Sequence, residues 1–340
     1  MRLLKRVAVA LGVVVAAFVV VGFLLPRRVR VERSIVIDAP QATVFTVLNG
    51  FRHFNKWSPW AGVDPAASYT YGGPASGVGA RMSWAGDAGT VGSGSLAIVE
   101  SRPFEQVTVD FDFGPTGVTT STFVLVRDGP GTRVTWRLDN DAGASPLARY
   151  VNLTMDRLVG DDFERGLAGL QRFAEGLPKA DFAVLSVEVT TAPPVVVAYV
   201  TTASSTDERA IATAIGGAYA QVGRFMAAYG LEQAAPPITI NTKWGAEGYE
   251  FEAAIPINRQ PERPVPAESA VRLKQTYGGR VLKTVHRGAY RGMRDTYDRL
   301  FAYLAAHGFE QAGPPWDEYV SDPGQTPEAD LVTHVYVPIR

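Results

Sequence analysis

The chain has 340 residues, 34 acidic against 33 basic, and no cysteine. That length suggests two or three domains with substantial cores. The balanced, interspersed charge gives no electrostatic case for nucleic acid, and the missing thiols exclude disulfides, thiolate nucleophiles and cysteine-ligated metals.

Residues 7–26 read VAVALGVVVAAFVVVGFLLP, twenty residues without a charge. As a helix this run is about 30 Å long, the thickness of a bilayer hydrocarbon core. A retained anchor is favoured over a cleaved signal peptide, because the run is long for a signal sequence and no Ala-x-Ala-like site precedes Arg27. Arg2, Lys5 and Arg6 precede it and Arg27, Arg28, Arg30 and Arg33 follow, so the positive-inside rule nearly cancels. The expectation is an anchor segment over 1–30 and a single-pass protein of a bacterial inner membrane, with the side of its soluble part left open.

VRVERSIVIDAP (29–40) alternates as a strand, and QATVFTVLNGF (41–51) has helical spacing. The aromatic-dense RHFNKWSPW (52–60) follows. Between Ser68 and Leu138, six short strand patterns separated by Gly- and Asp-rich turns predict antiparallel hairpins. Ser145-Pro146, a cap and a first helical position, then opens a helical region to about Gly176. The glycine-rich stretch 72–94 holds eight glycines but matches no phosphate-binding pattern, so it reads as hairpin turns.

A strand, two short helices, six antiparallel strands and a long helix resemble the START-like (SRPBCC) architecture. The strings VERSIVIDAPQATVF, FRHFNKWSPW, GPASGVGARMSW and DFERGLAGLQRF are similar to its polyketide cyclase/dehydrase-type members, over residues 31–178. The resemblance implies a helix-grip fold, a curved sheet around the long helix enclosing an apolar ligand cavity. Trp57, Trp60, Trp84 and Trp136 are the residues expected to line it.

Further on, AAYGLEQAAPP (227–237) recurs as AAHGFEQAGPP (305–315), identical at eight of eleven positions and offset by 78. Each copy reads as a helix end: Gly230 and Gly308 stand where a left-handed cap is needed, Leu231 and Phe309 follow as its apolar contact, and the Pro-Pro pairs stop the helix. YEFEAAIPI (249–257) and LVTHVYVPIR (331–340) both alternate and both contain Pro-Ile, while APPVVVAYVTT matches GGRVLKTVHRG. The expectation is α+β, with two β-β-α-β-β halves, about 182–257 and 270–340, related by pseudo-twofold symmetry around a cleft. The Pro-rich, charged NRQPERPVPAES connects them.

VHRGAY (285–290), WDEYVSDP (316–323) and LVTHVYVPI (331–339), together with the half-repeat, resemble the gyrase-inhibitor-like effector-binding domain that also ends some AraC- and MerR-type regulators. That covers residues 182–340 and implies a cleft for amphipathic, often cationic molecules. The ligand-binding residues expected there are Glu252, Trp244, Tyr290, Trp316, Asp317, Tyr319 and His334. Relatives commonly carry an acid where this chain has His334, so aligning Glu252 with His334 predicts a pocket with one acidic and one basic-capable side.

The four histidines, His53, His286, His307 and His334, show no metal spacing, and no G-x-S-x-G element is present. No metal and no cofactor is expected. The leading expectation is a membrane-anchored small-molecule-binding protein with two ligand pockets, taking hydrophobic or amphipathic ligands rather than nucleic acid. The alternative is a hydrolase of small electrophiles, with Glu252 and Tyr319 or Tyr290 as the reacting pair. A scaffold whose cavities are filled by side chains is a third reading.

Overall fold

The computed structural model describes residues 2–114 and 117–340, with side chains from Arg6 onward. Met1–Asp181 forms most of one compact unit; Phe182–Ala305 and Phe309–Arg340 form the second.

The first unit begins with α1 (Arg2–Leu24), whose Arg6–Leu24 portion is long and apolar enough to cross a membrane, as a signal sequence also would be. A seven-stranded antiparallel sheet follows: β1 (Arg28–Ile37), β2 (Ser68–Gly72), β3 (Arg81–Ala85), β4 (Ser93–Arg102), β5 (Gln106–Asp112), β6 (Val118–Asp128) and β7 (Gly131–Asp141). The order β1-β7-β6-β5-β4-β3-β2 is a meander in which β1 returns beside the last strand. Two short helices, α2 (Gln41–Leu48) and α3 (Phe54–Trp57), stand between β1 and β2.

The C-terminal helical region is broken where continuity was expected, into α4 (Pro146–Asn152) and α5 (Met155–Glu175). Ser145 caps α4 as its sequence predicts, its Oγ accepting from the Ala148 amide at 3.3 Å. Tertiary bonds hold α4 in its own position: the Asn152 amide donates to the Arg27 carbonyl at 2.9 Å and its oxygen accepts from Asn140. Along α5, Phe163, Leu167, Leu170 and Ala174 share a buried face at helical spacing. Gly166 and Gly169 let that face approach closely. A Cβ on Gly166 would lie 2.5 Å from the Trp136 ring, and one on Gly169 would lie 2.3 Å from the Trp57 carbonyl oxygen.

The second unit is an eight-stranded antiparallel sheet with two long helices. Its elements are β8 (Glu188–Ala192), β9 (Val196–Ser204), α6 (Glu208–Tyr229), β10 (Ile238–Gly245), β11 (Gly248–Pro256), β12 (Arg272–Gln275), β13 (Gly279–Arg287), α7 (Met293–His307), β14 (Trp316–Tyr319) and β15 (Val332–Pro338). The recurring string builds recurring geometry. Gly230 and Gly308 are left-handed at φ 61° and 68°, and Leu231 and Phe309 donate back to Met226 and Leu304. Gln233 bridges Ile257 as Gln311 bridges Ile339, and Ala234 and Ala312 both donate at 2.9 Å to the carbonyls of Pro256 and Pro338.

The strand order is β12-β9-β11-β10-β14-β15-β13-β8. The first strand of each expected half therefore pairs across: β8 lies against β13 and β12 against β9. At the centre, β10 and β14 join through reciprocal bonds, Asn241 N–H to Pro315 at 2.8 Å and Tyr319 N–H to Pro237 at 3.0 Å, with Thr239 facing Asp317 between them.

Candidate ligand-binding sites

Strand parity divides the residues of the second unit. Ala198, Val200, Tyr249, Phe251, Ala253 and Ile255 pack with α6, and Leu282, Val335 and Val337 pack with α7. On the same face of the central strands lie Thr239, Asn241, Asp317 and Tyr319, because residues two apart share a side.

Asp317 is the centre of this face. Its side chain is buried, and both of its hydrogen-bond partners are neutral: Asn241 Nδ2 at 3.0 Å and Tyr297 Oη at 2.7 Å, each donating. Among the described residues no cation pairs with it. Burial pushes its pKa up to about 6, and the two donors recover only part of the lost hydration. Tyr249 donates to Asn241 Oδ1, which fixes the amide's orientation. The Tyr219 hydroxyl lies 3.0 Å from Thr239 Oγ1, as Tyr297 lies against Asp317. Tyr319 makes edge contacts with the rings of Tyr219 and Tyr290, centroids at 6.3 and 5.5 Å. Burial first, and the charge of Asp317 second, raise the pKa values of Tyr249, Tyr297 and Tyr319, so these phenols stay neutral. Trp244, exposed on the β10–β11 hairpin, meets Tyr249 edge-on at 5.1 Å.

The seven residues expected to share one pocket do not lie together. Asp317, Tyr319 and Tyr290 gather on the helix side, with Trp244 at its margin through Tyr249. Glu252, Trp316 and His334 project from the opposite face, because Phe251, Asp317 and Val335 beside them take the helix side. There Lys274 pairs with Glu252, Glu318 accepts from His334 Nδ1 at 2.8 Å, and Trp316 stacks on Tyr336 at 4.9 Å. An acidic side opposing a basic one is thus not the pocket's character; each charge has its own local partner. Nor does Glu252 meet Tyr319 or Tyr290, the pairing that a hydrolase would have used.

Sequence reasoning missed Tyr219, Thr239, Asn241, Tyr249 and Tyr297. A signal was present: Tyr219 and Tyr297 stand at the same 78-residue offset as the repeat, about two helical turns before its first letter.

In the first unit the expected four tryptophans also separate. Trp60 and Trp84 line a cavity of about 250 Å³, together with Tyr69, Met82, Leu96, Phe111 and Phe113. Asn55, Ser58, Thr90 and the Tyr69 hydroxyl are among its polar groups, and no charged side chain lines it among the described residues. The Trp84 indole N–H is held by the Val91 carbonyl at 3.0 Å. Trp57 and Trp136 are instead core residues, 4% and 0% exposed. Trp136 stacks on Phe163 at 4.2 Å and meets Trp57 edge-on at 6.2 Å, which fills the space between α5 and the sheet.

Residues 28–175 match the family model described as polyketide cyclase / dehydrase and lipid transport. Residues 185–340 match that of the GyrI-like small molecule binding domain. The chain is a polyketide cyclase-like domain followed by a GyrI-like domain. Among solved structures, it is similar to the EcmrR C-terminal domain, 15% identical with a TM-score of 0.41, over 46% of this chain and 98% of that one. It is also similar to a hydrolase from Listeria innocua, 14% identical with a TM-score of 0.33, over 46% and 92%. A third is SAV2435 bound to tetraphenylphosphonium, 10% identical with a TM-score of 0.34, over 46% and 94%. No curated protein sequence matches the chain. Both domains are of small-molecule-binding kinds; in the GyrI-like domain the buried carboxylate and its tyrosines are the chemically distinctive feature.

Proposed function

We propose that the chain is a membrane-anchored small-molecule-binding protein with two separate ligand sites. The GyrI-like domain takes a lipophilic organic cation at Asp317, and the polyketide cyclase-like domain takes a neutral apolar ligand at Trp60 and Trp84. The observation that carries this is the buried Asp317 carboxylate, bonded only to neutral donors and surrounded by phenol rings. A carboxylate so placed lacks a counter-charge. An organic cation supplies it, and its apolar surface is received by aromatic faces.

Entry falls to the outer residues, half-buried Tyr290 and exposed Trp244, whose displacement would uncover Tyr319 and Asp317. We also infer an approximate twofold passing between Thr239 and Asp317, supported by the reciprocal bonds across β10 and β14 and by the matched Tyr219–Thr239 and Tyr297–Asp317 pairs. The two halves would then supply the same scaffold, with the carboxylate on one side alone. The uncharged cavity of the other domain, about 250 Å³, is just below the roughly 300 Å³ at which pockets for drug-sized ligands begin. It suits a small neutral ring system better than a two-chain lipid. The anchor reading rests on the Arg6–Leu24 helix.

Titration of the full chain in nanodiscs with tetraphenylphosphonium tests the cation site. Saturable binding that Asp317→Asn removes is the expected result. Equal binding by both proteins would overturn it.

A further inference from the structure

The end of α1 is not a free tether. The Arg149 guanidinium on α4 donates to the carbonyls of Phe23 and Leu25 at 2.6 and 3.2 Å, partners that the last turn of a helix otherwise lacks. The Tyr150 hydroxyl donates at 2.7 Å to the carbonyl of Phe18, and its ring stacks on that residue's ring at 4.2 Å. Gly22 makes room for this seat, since a Cβ there would fall 2.8 Å from Pro146 and 3.0 Å from Tyr150. Phe18 precedes the helix end at Leu24 by six residues, about 9 Å of rise. α4 therefore lies alongside the last two turns of α1 rather than beyond them.

The outward side of this region is rich in apolar residues, interrupted by exposed Thr154, Asp156 and Arg157. Leu147, Val151, Leu153 and Leu158 are 64%, 48%, 58% and 59% exposed within twelve residues, and they extend the bare apolar surface of α1. Single exposed apolar residues are ordinary, but a run continuous with a membrane-length helix is not. We propose that α4 and the start of α5 are embedded in the lipid interface, so that the polyketide cyclase-like domain rests on the bilayer through Leu147, Val151, Leu153 and Leu158. This rests on the anchor reading above. The depth agrees with it: if α1 spans the hydrocarbon core, α4 sits about 9 Å inside the helix end, and interfacial helices bury their apolar face by roughly 5–10 Å. Tyr150 then occupies the level where tyrosine and tryptophan collect in membrane proteins.

The absence of cysteine makes the test direct. Leu147→Cys, Leu153→Cys, Val13→Cys in α1 and Val126→Cys are each labelled with an environment-sensitive nitrobenzoxadiazole. Val126 lies at the β6–β7 hairpin, the end of the β6–β7 pair opposite α4. The full chain is reconstituted in phosphatidylcholine/phosphatidylglycerol vesicles containing brominated lipid. Labels at 147 and 153 are expected to shift to the blue and lose emission to the brominated lipid, as the label at 13 does, while that at 126 does neither. A quenched label at 13 with unquenched labels at 147 and 153 overturns the interfacial helix but leaves the anchor. An unquenched label at 13 overturns the anchor reading and this proposal together. Blue-shifted labels at 147 and 153 that bromine does not quench would mean a protein partner, and the proposal fails. Gly22→Leu, which disrupts the seat of α4 without touching the labelled positions, is expected to reduce quenching at 147.

Discussion

Asp317→Asn should make the GyrI-like domain more stable at neutral pH while destroying the proposed cation site. The folded carboxyl titrates at about 6 against an ordinary 3.8, because burial disfavours its charge. The folded state thus holds this proton more tightly than the unfolded chain. Its contribution to stability is fully present below about pH 4 and is lost as pH rises through about 6. At about 1.4 kcal/mol per pH unit, the ionised form costs about 3 kcal/mol at pH 7.5. Asparagine has the same shape and no charge. Re-pairing its amide with Asn241 and Tyr297 forfeits about 1 kcal/mol, which leaves a net gain of about 2 kcal/mol. Hydrogen–deuterium exchange of the β14 and β15 amides, compared between variant and parent at each pH, reads this locally. The gap should open between pH 4 and 7.5. A variant less stable than the parent at pH 7.5, or a gap independent of pH, would refute the reasoning.

Four further outcomes are expected. Tetraphenylphosphonium should bind more tightly as pH rises from 5 to 7.5, since protonated Asp317 offers no charge; calorimetry at several pH values, with proton release near pH 6, checks this. Gly169→Ala should lower the urea midpoint of the first domain, because a Cβ 2.3 Å from the Trp57 carbonyl costs about 2–3 kcal/mol in overpacking against a helix-propensity gain of about 1 kcal/mol. Gly230→Ala, at φ 61°, should cost about 1 kcal/mol in thermal unfolding of the second domain. Trp84→Leu should weaken binding of a small neutral aromatic such as naphthalene, followed by fluorescence, and leave the fold intact, whereas Trp136→Leu should destabilise the domain by several kcal/mol.

Much of the fold was legible because it is written in local periodicity. The β1 alternation, the Ser145-Pro146 helix start and the Gly230 and Gly308 caps each depend on neighbours within a turn or a strand. The break at Leu153–Thr154 was not, since bonds from Asn152 to a distant carbonyl decide it. Within the candidate site, Asp317 and Tyr319 were named through the family resemblance carried by WDEYVSDP, and their spacing of two places them on one strand face. Glu252 and His334 were misplaced because a repeat alignment pairs positions without saying which face they take. That Phe251 and Val335 pack under helices is settled only by the whole sheet. Trp57 and Trp136 show the same limit: tryptophan is large enough to line a cavity or to fill one, and the close approach of α5 at Gly166 and Gly169 decides for filling.

The crossed pairing of β8 and β12 bears on how the second domain is made. β8 leaves the ribosome first, but its hydrogen-bonding partner β13 emerges only after α6 and four further strands. Until then one edge of the nascent domain has no lodging, and neither half can close its own sheet. Sheets dominated by such distant pairings fold slowly and expose sticky edges on the way.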